Sequence, residues 1–153
     1  MSTKRKRILC VDDDPETCYL TQTYLEMEGY EVIIASSAAE GLRLAKSQRF
    51  DLYLFDSGLP DEPGVDLAQQ IRMFDSATPI IFHSGHAYDA DIRKGVNAGA
   101  QAYITKPSNP NEVIEVINTL ITEREAGSRE EGNAQIPTSR CESPALAVGH
   151  DEA

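Results

Sequence analysis

Asp12 and Asp13, Asp56, Ser84 and Lys106 are the residues whose types and placement could do chemistry together. Each follows a short apolar run. Ile8-Leu9-Cys10-Val11 precedes the acid pair, Leu52-Tyr53-Leu54-Phe55 precedes Asp56, Ile80-Ile81-Phe82-His83 precedes Ser84, and Ala102-Tyr103-Ile104-Thr105 precedes Lys106. In a sheet of parallel strands, ligands bind outside the carboxyl ends of the strands, at the point where strand order switches. Three carboxylates, a hydroxyl and an ammonium would then meet on one edge, a set suited to Mg²⁺ and a phosphoryl group. Two bare carboxylates about 4 Å apart repel by about 4 kcal/mol at an effective dielectric near 20. A hard divalent cation that takes few carboxylates and keeps several waters relieves that clash.

The elements that must position these groups are readable between the runs. Pro15 suits a first helical turn, with Asp14 as its N-cap, and Gly29 ends that helix. Thr17, Leu20, Thr21, Tyr24 and Leu25 fall on one face at helical spacing. Residues 31–35 read as a second strand. Ser37 with Glu40 three residues later forms a capping-box signature for a second helix carrying Leu42 and Ala45. A Gly- and Pro-rich loop, residues 57–64, leads to a third helix with Val65, Ala68 and Ile71, ending near Phe74. Pro79 opens a strand, a position that tolerates its missing N–H, and residues 89–98 form a short helix stopped by Gly99. Val113, Val116, Ile117, Leu120 and Ile121 give the last helix the clearest apolar stripe. Alternation of strand and helix implies an α/β fold, with helices on both faces of a parallel sheet.

The 153 residues fit one domain and a tail. Beyond about residue 123 periodicity stops, and a polar stretch with scattered Gly, Ser and Pro reaches Ala153; it cannot bury enough apolar surface to offset its ordering. The domain is therefore bounded at 5–122, with 123–153 as a disordered polar tail. A net charge of -11 disfavours direct nucleic-acid contact, which needs a basic footprint. Cys10, Cys18 and Cys141 show neither metal spacing nor an even count, and Cys10 reads as a buried strand residue. The basic start at residues 4–7 is followed by too short an apolar run for a signal peptide or membrane span, so a cytoplasmic protein without membrane insertion is expected.

Five strands alternating with five helices, with acids after the first and third strands, resemble the receiver domain of bacterial response regulators. The stretches that carry the likeness are Ile8 to Pro15, Asp51 to Asp56, Leu59-Pro60 followed by Gly64, Pro79 to Ser84, and Tyr103 to Pro107. Any one of them is weak; five in order are specific. The resemblance implies a doubly wound five-stranded sheet in the flavodoxin-like order 2-1-3-4-5. It also implies a single-domain, chemotaxis-receiver-like member of two-component phosphorelays. Asp56 would accept a phosphoryl group from the phosphohistidine of a sensor histidine kinase or a histidine phosphotransfer protein. Asp13 and Asp56 would ligate Mg²⁺ directly, Asp12 through water, and Gly58 through its backbone carbonyl. Lys106 would clamp the acylphosphate oxygens, and its bond to Pro107 would be cis. Ser84 would donate to a phosphoryl oxygen, and Tyr103 would turn inward after Ser84 moves, changing a face that a downstream protein target reads. Such a protein is a phosphoacceptor switch that acts on itself and not an enzyme with a separate substrate.

The chain departs from the family pattern at three places. Pro63 replaces the usual acid before Gly64, Gly58 places no side chain beside the acceptor, and His86 follows Ser84 by two residues. His83 and His86 read as packing or solvent-facing residues, since no Cys/His spacing supports a transition metal. A haloacid-dehalogenase-type hydrolase would need an acid at Gly58 for proton transfer. A flavin carrier would need a phosphate loop where Asp12-Asp13-Asp14 stand. The remaining alternative is a receiver-like binding module that works without phosphorylation; its usual sign, loss of the acid pair, acceptor or Lys, is missing here.

Overall fold

The computed structural model describes residues 4–86 and 88–129. In chain order the elements are β1 (Arg7–Val11), α1 (Pro15–Met27), β2 (Glu31–Ala35), α2 (Ala38–Ser47), β3 (Leu52–Phe55), α3 (Gly64–Arg72), β4 (Ile80–Ser84), α4 (Asp89–Asn97), β5 (Ala102–Thr105) and α5 (Pro110–Arg129). The five strands form one parallel sheet in the order β2-β1-β3-β4-β5. The architecture is the doubly wound, flavodoxin-like one expected from the motifs.

Strand alternation divides the interior into two cores. Leu9, Val11, Tyr53, Phe55, Ile80, Phe82 and Tyr103 pack toward residues of α2 and α3. Ile8, Cys10, Leu52, Leu54, Ile81, Ala102 and Ile104 pack toward Leu25 of α1 and the stripe of α5. Central strands buried on both faces read as continuous apolar runs, which is why period-two alternation is absent from them. In α5, Val113 and Ile117 are fully buried and Leu120 and Ile121 nearly so, with Val116 partly covered. Each such side chain contributes about 1.5–3 kcal/mol gross.

Local rules account for the helix ends. Pro15 opens α1 behind Asp14, whose carboxylate accepts the Thr17 hydroxyl at 2.6 Å. Ser37 Oγ accepts the Glu40 amide at 3.2 Å, while the Glu40 carboxylate reaches back one residue farther than a capping box requires, to the Ser36 amide. Gly29 and Gly99 end α1 and α4 with φ of 95° and 111°, a region costly for residues with a Cβ.

Two expectations differ from what is found. The buried stripe of α1 is Cys18, Thr21 and Leu25, whereas Leu20 is exposed. Spacing alone admitted either stripe; the contact of Cys18 with the Asp12 carbonyl belongs to the one that is buried. Helix α5 runs to Arg129, past the boundary placed at residue 122. Polar contacts replace the lost apolar stripe there: Lys6 pairs with Glu125, and Arg124 lies 4.0 Å from Asp51. The sequence from residue 130 onward, including Cys141, lies outside the described residues. Among the described residues no helix is long and apolar enough to cross a membrane.

Candidate functional site

Strand pairing puts the chemically competent residues at one edge. The Asp12 amide continues the β1–β2 ladder by donating to the Ala35 carbonyl at 3.0 Å, and the Asp56 amide donates to the Val11 carbonyl at 2.9 Å. Lys106 is tied to β4 in the same way, through its amide and the Ser84 carbonyl at 2.8 Å. Backbone ladders therefore aim residues 12, 56, 84 and 106 from four strands. The order switches at β1, flanked by β2 and β3, where open parallel sheets bind ligands.

Asp12, Asp13 and Asp56 offer carboxylate oxygens that all lie within 4.8 Å of one another. Asp12 is buried, Asp56 half-buried and Asp13 exposed. Lys106 Nζ donates to Asp12 Oδ2 at 2.8 Å and lies 3.9 Å from Asp56 Oδ2. Burial pushes the Asp56 carboxyl above its ordinary range; Lys106 opposes that rise and Asp12 adds to it. Burial by itself would lower the Lys106 pKa, but its hydrogen bond to Asp12 and the charges of both acids leave it raised. The result is a cation held between two acids, with burial disfavouring the ionised form of Asp56. All three acids present hard oxygen donors in a cluster with excess negative charge, so the set fits Mg²⁺.

The loop after β3 is held against the acceptor. Gly58 and Pro63 form an antiparallel bridge, and the Gly64 amide donates to the Ser57 carbonyl at 2.8 Å. A Cβ on Gly64 would stand 2.3 Å from the Asp56 carbonyl oxygen, so only glycine fits. Pro63 occupies the N-cap of α3 in extended conformation and makes no side-chain cap. The loop turns on the bridge rather than on a capping acid. The Gly58 amide reaches Asp56 Oδ1 at 3.5 Å, which places Gly58 beside the acid cluster. Asp61, from the same loop, accepts the Ala38 and Ala39 amides at 2.9 Å each and ties the loop to α2.

Ser84 is fully buried, and its Oγ lies 2.5 Å from Ser57 Oγ. Tyr103 is also buried and already points inward, its hydroxyl donating to the His86 carbonyl at 2.5 Å; burial raises its pKa. The expected inward turn is thus the conformation present. Gly95 of α4 makes room for it, since a Cβ there would stand 3.1 Å from both the Tyr103 and Phe82 rings. His83 is buried, with Nε2 2.9 Å from the Ser108 hydroxyl. Burial, followed by the Lys106 charge, lowers its pKa to about 4, so it is neutral packing. His86 sits over Gly58, close to Ser57 and Ser84. Asp14 stays at the helix cap. The Lys106–Pro107 bond is cis.

Ser57 and Asp61 had no sequence signal as parts of this edge. Serine and aspartate in a loop are ordinary, and their partners, Ser84 and the start of α2, are more than twenty residues away.

A family model described as the response regulator receiver domain matches residues 8–118. The chain is 34% identical over 136 residues to the transcriptional regulatory protein ResD of Bacillus subtilis, covering 89% of this chain and 55% of ResD. It is 31% identical over 125 residues to the DNA-binding response regulator MtrA of Mycolicibacterium smegmatis, covering 82% and 54%. Among solved structures, a CheY-like receiver domain protein from Methanospirillum hungatei superposes with a TM-score of 0.78 at 41% identity, covering 80% of this chain and 98% of that one. Fold, site and comparisons agree: the chain belongs to the response regulator receiver family, the phosphoacceptor domains of two-component systems, which interact with histidine kinases or phosphotransfer proteins. It spans about half the length of the curated relatives named here, and the DNA binding in their names is a statement about them.

Proposed function

We propose that the chain accepts a phosphoryl group on Asp56 from the phosphohistidine of a kinase or phosphotransfer protein and thereby switches a face read by a protein partner. The observation that carries this reading is the Lys106 ammonium, held 2.8 Å from Asp12 and 3.9 Å from Asp56 beside a cluster of three acids. An Asp56 oxygen attacks phosphorus, the phosphorus–nitrogen bond to the donor imidazole breaks, and the imidazole leaves with its electron pair. Asp13 and Asp56 with the Gly58 carbonyl would hold Mg²⁺, with Asp12 reaching it through water. The bound cation would neutralise the charge that builds on the phosphoryl oxygens. Lys106 orients and neutralises a phosphoryl oxygen as a compact point charge, and Asp12 holds the ammonium in place. Ser84 supplies the hydroxyl that captures another oxygen. Hydrolysis of the acylphosphate at the same site resets the switch, and the chain acts only on itself.

The exposed Tyr19 of α1 lines a surface hollow with Asp12 and Asp13, an aromatic contact that suits a protein donor rather than a free small molecule. A donor charged by ATP is a cytoplasmic species, and the reading places this chain there. Output passes through a partner face on α4, β5 and α5, next to the linked Ser84, His86 and Tyr103. Incubation with acetyl phosphate and Mg²⁺ should add one phosphoryl group by intact mass, mapped to Asp56. Full labelling of Asp56→Asn, or undiminished labelling in excess chelator, would sink the mechanism.

A further inference from the structure

Ser57 directly follows the acceptor, and the transfer chemistry above makes no use of it. Its Oγ lies 2.5 Å from Ser84 Oγ and 3.2 Å from Nδ1 of His86. Ser84 Oγ also accepts the His86 amide at 3.1 Å, and its own distance to the imidazole is longer, 3.4 Å. A serine hydroxyl has one proton to give and two lone pairs with which to accept. In the tautomer that leaves Nδ1 unprotonated, the shorter imidazole contact lets Ser57 donate to Nδ1, and the Ser84 proton then goes to Ser57. The hydrogen that the phosphoryl group requires is already engaged, and it is engaged in a fully buried place.

We propose that Ser57 is a positioning residue that holds the Ser84 hydroxyl in its resting orientation, so that a phosphoryl group on Asp56 must take Ser84 away from Ser57. The proposal rests on Asp56 as acceptor and Ser84 as the hydroxyl that binds phosphoryl oxygen. Its physical content is competition for one proton. In the resting state Ser84 donates sideways along the loop edge; in the phosphorylated state it donates toward Asp56. The Ser57 hydroxyl favours the first arrangement and offers nothing to the second. Removing it takes away the nearest partner of the buried Ser84 hydroxyl, leaving the imidazole at 3.4 Å and the Tyr103 hydroxyl, and the balance moves toward the phosphoryl group. The imidazole over Gly58 completes the clasp by giving Ser57 its own acceptor.

The test is the affinity for beryllium trifluoride with Mg²⁺, a non-covalent stand-in for the phosphoryl group, titrated by fluorine NMR on the full chain. Because a net neutral hydrogen bond is lost from the resting state alone, Ser57→Ala should bind about three- to tenfold tighter than wild type. Ser57→Thr keeps the hydroxyl and should return to within about twofold of wild type, by the same competition for one proton. In a Ser84→Ala background, Ser57→Ala should have no effect; a merely structural role for Ser57 would persist there. Unchanged or weaker binding by Ser57→Ala, in a protein where Ser84→Ala does weaken binding, overturns the clasp while leaving the acceptor reading intact. Failure of wild type to bind the probe with Mg²⁺ overturns the acceptor reading, and the clasp falls with it.

Discussion

Replacing Asp56 with Asn removes one negative charge from the acid edge while nearly keeping the side chain's shape. Its oxygens and those of Asp12 lie within 4.8 Å, a separation at which two charges repel by about 3.5 kcal/mol at an effective dielectric near 20. Lys106 at 3.9 Å attracts Asp56 by about 4 kcal/mol on the same scale. These two nearly cancel. Burial then decides the sign, and the Asp56 carboxyl is accordingly pushed above its ordinary range. Asp56→Asn should therefore stabilise the fold at neutral pH by about 1–3 kcal/mol, the scale of an incompletely compensated buried polar group. That corresponds to a rise in Tm of roughly 3–15 °C for a domain of this size.

The pH dependence follows from the direction of the shift. An acid whose folded pKa is raised contributes no penalty below its unfolded pKa of about 3.9, where both states are protonated. The penalty grows as pH rises toward the folded pKa and is complete above it. The variant's advantage should therefore be absent below about pH 4 and constant near pH 7. Mg²⁺ works against that advantage. A cation bound at 100 times its Kd stabilises wild type by about 2.7 kcal/mol, while the variant, having lost a ligand, gains less. Melting curves in chelator and in Mg²⁺, at several pH values, measure all of this. Equal or lower stability of Asp56→Asn in chelator at pH 7 would refute the charge accounting, as would an advantage that persists in acid.

Gly64→Ala should destabilise by about 1–3 kcal/mol, the range of overpacking, because its Cβ would meet the Asp56 carbonyl oxygen at 2.3 Å; urea melts check this, and a neutral result would mean that the acceptor loop can move aside. His83, neutral with a pKa of about 4, loses up to about 3 kcal/mol of folding stability as pH falls from about 6.5 to 4, since the unfolded state takes up the proton first. His83→Gln should flatten the stability profile across that window. Removing residues 130–153 should leave Tm and the rate of acetyl phosphate labelling unchanged, because the ion pair of Lys6 with Glu125 and the contact of Arg124 with Asp51 lie before the cut. A truncation before Arg124 should lower Tm by a degree or more as both contacts go.

What the sequence could disclose depended on whether a residue's role is local. Asp12, Asp56, Ser84 and Lys106 each end an apolar run, and the parallel ladder carries that local fact directly into a shared edge. Strand order required the family likeness, since no pattern within a run says which run lies beside it. Leu20 shows the limit for helices: three- and four-residue spacing admits two neighbouring stripes, and only the sheet beneath selects Cys18, Thr21 and Leu25. The end of α5 shows another, because charged pairs that extend a helix leave no apolar period to read.

The least legible features are those that set the resting state of the switch. Tyr103 is held inward by a backbone carbonyl of the β4–α4 loop and by the missing side chain at Gly95. Ser84 is held by a hydroxyl from the loop after β3. Thr105, in register with Ser84, keeps a buried Oγ1 with no hydrogen-bond partner, the single such side-chain atom among the described residues. A buried hydroxyl of that kind costs about 1–3 kcal/mol. It stands beside the serine whose reorientation the transfer of charge would drive. Two states separated by a few kcal/mol can be exchanged by one phosphoryl group, provided each is specifically held. His86 joins the two loops at this point: its amide and imidazole meet Ser84 and Ser57, and its carbonyl holds Tyr103. On the reading proposed above, a displacement of Ser84 toward Asp56 would reach Tyr103 through the contacts of His86.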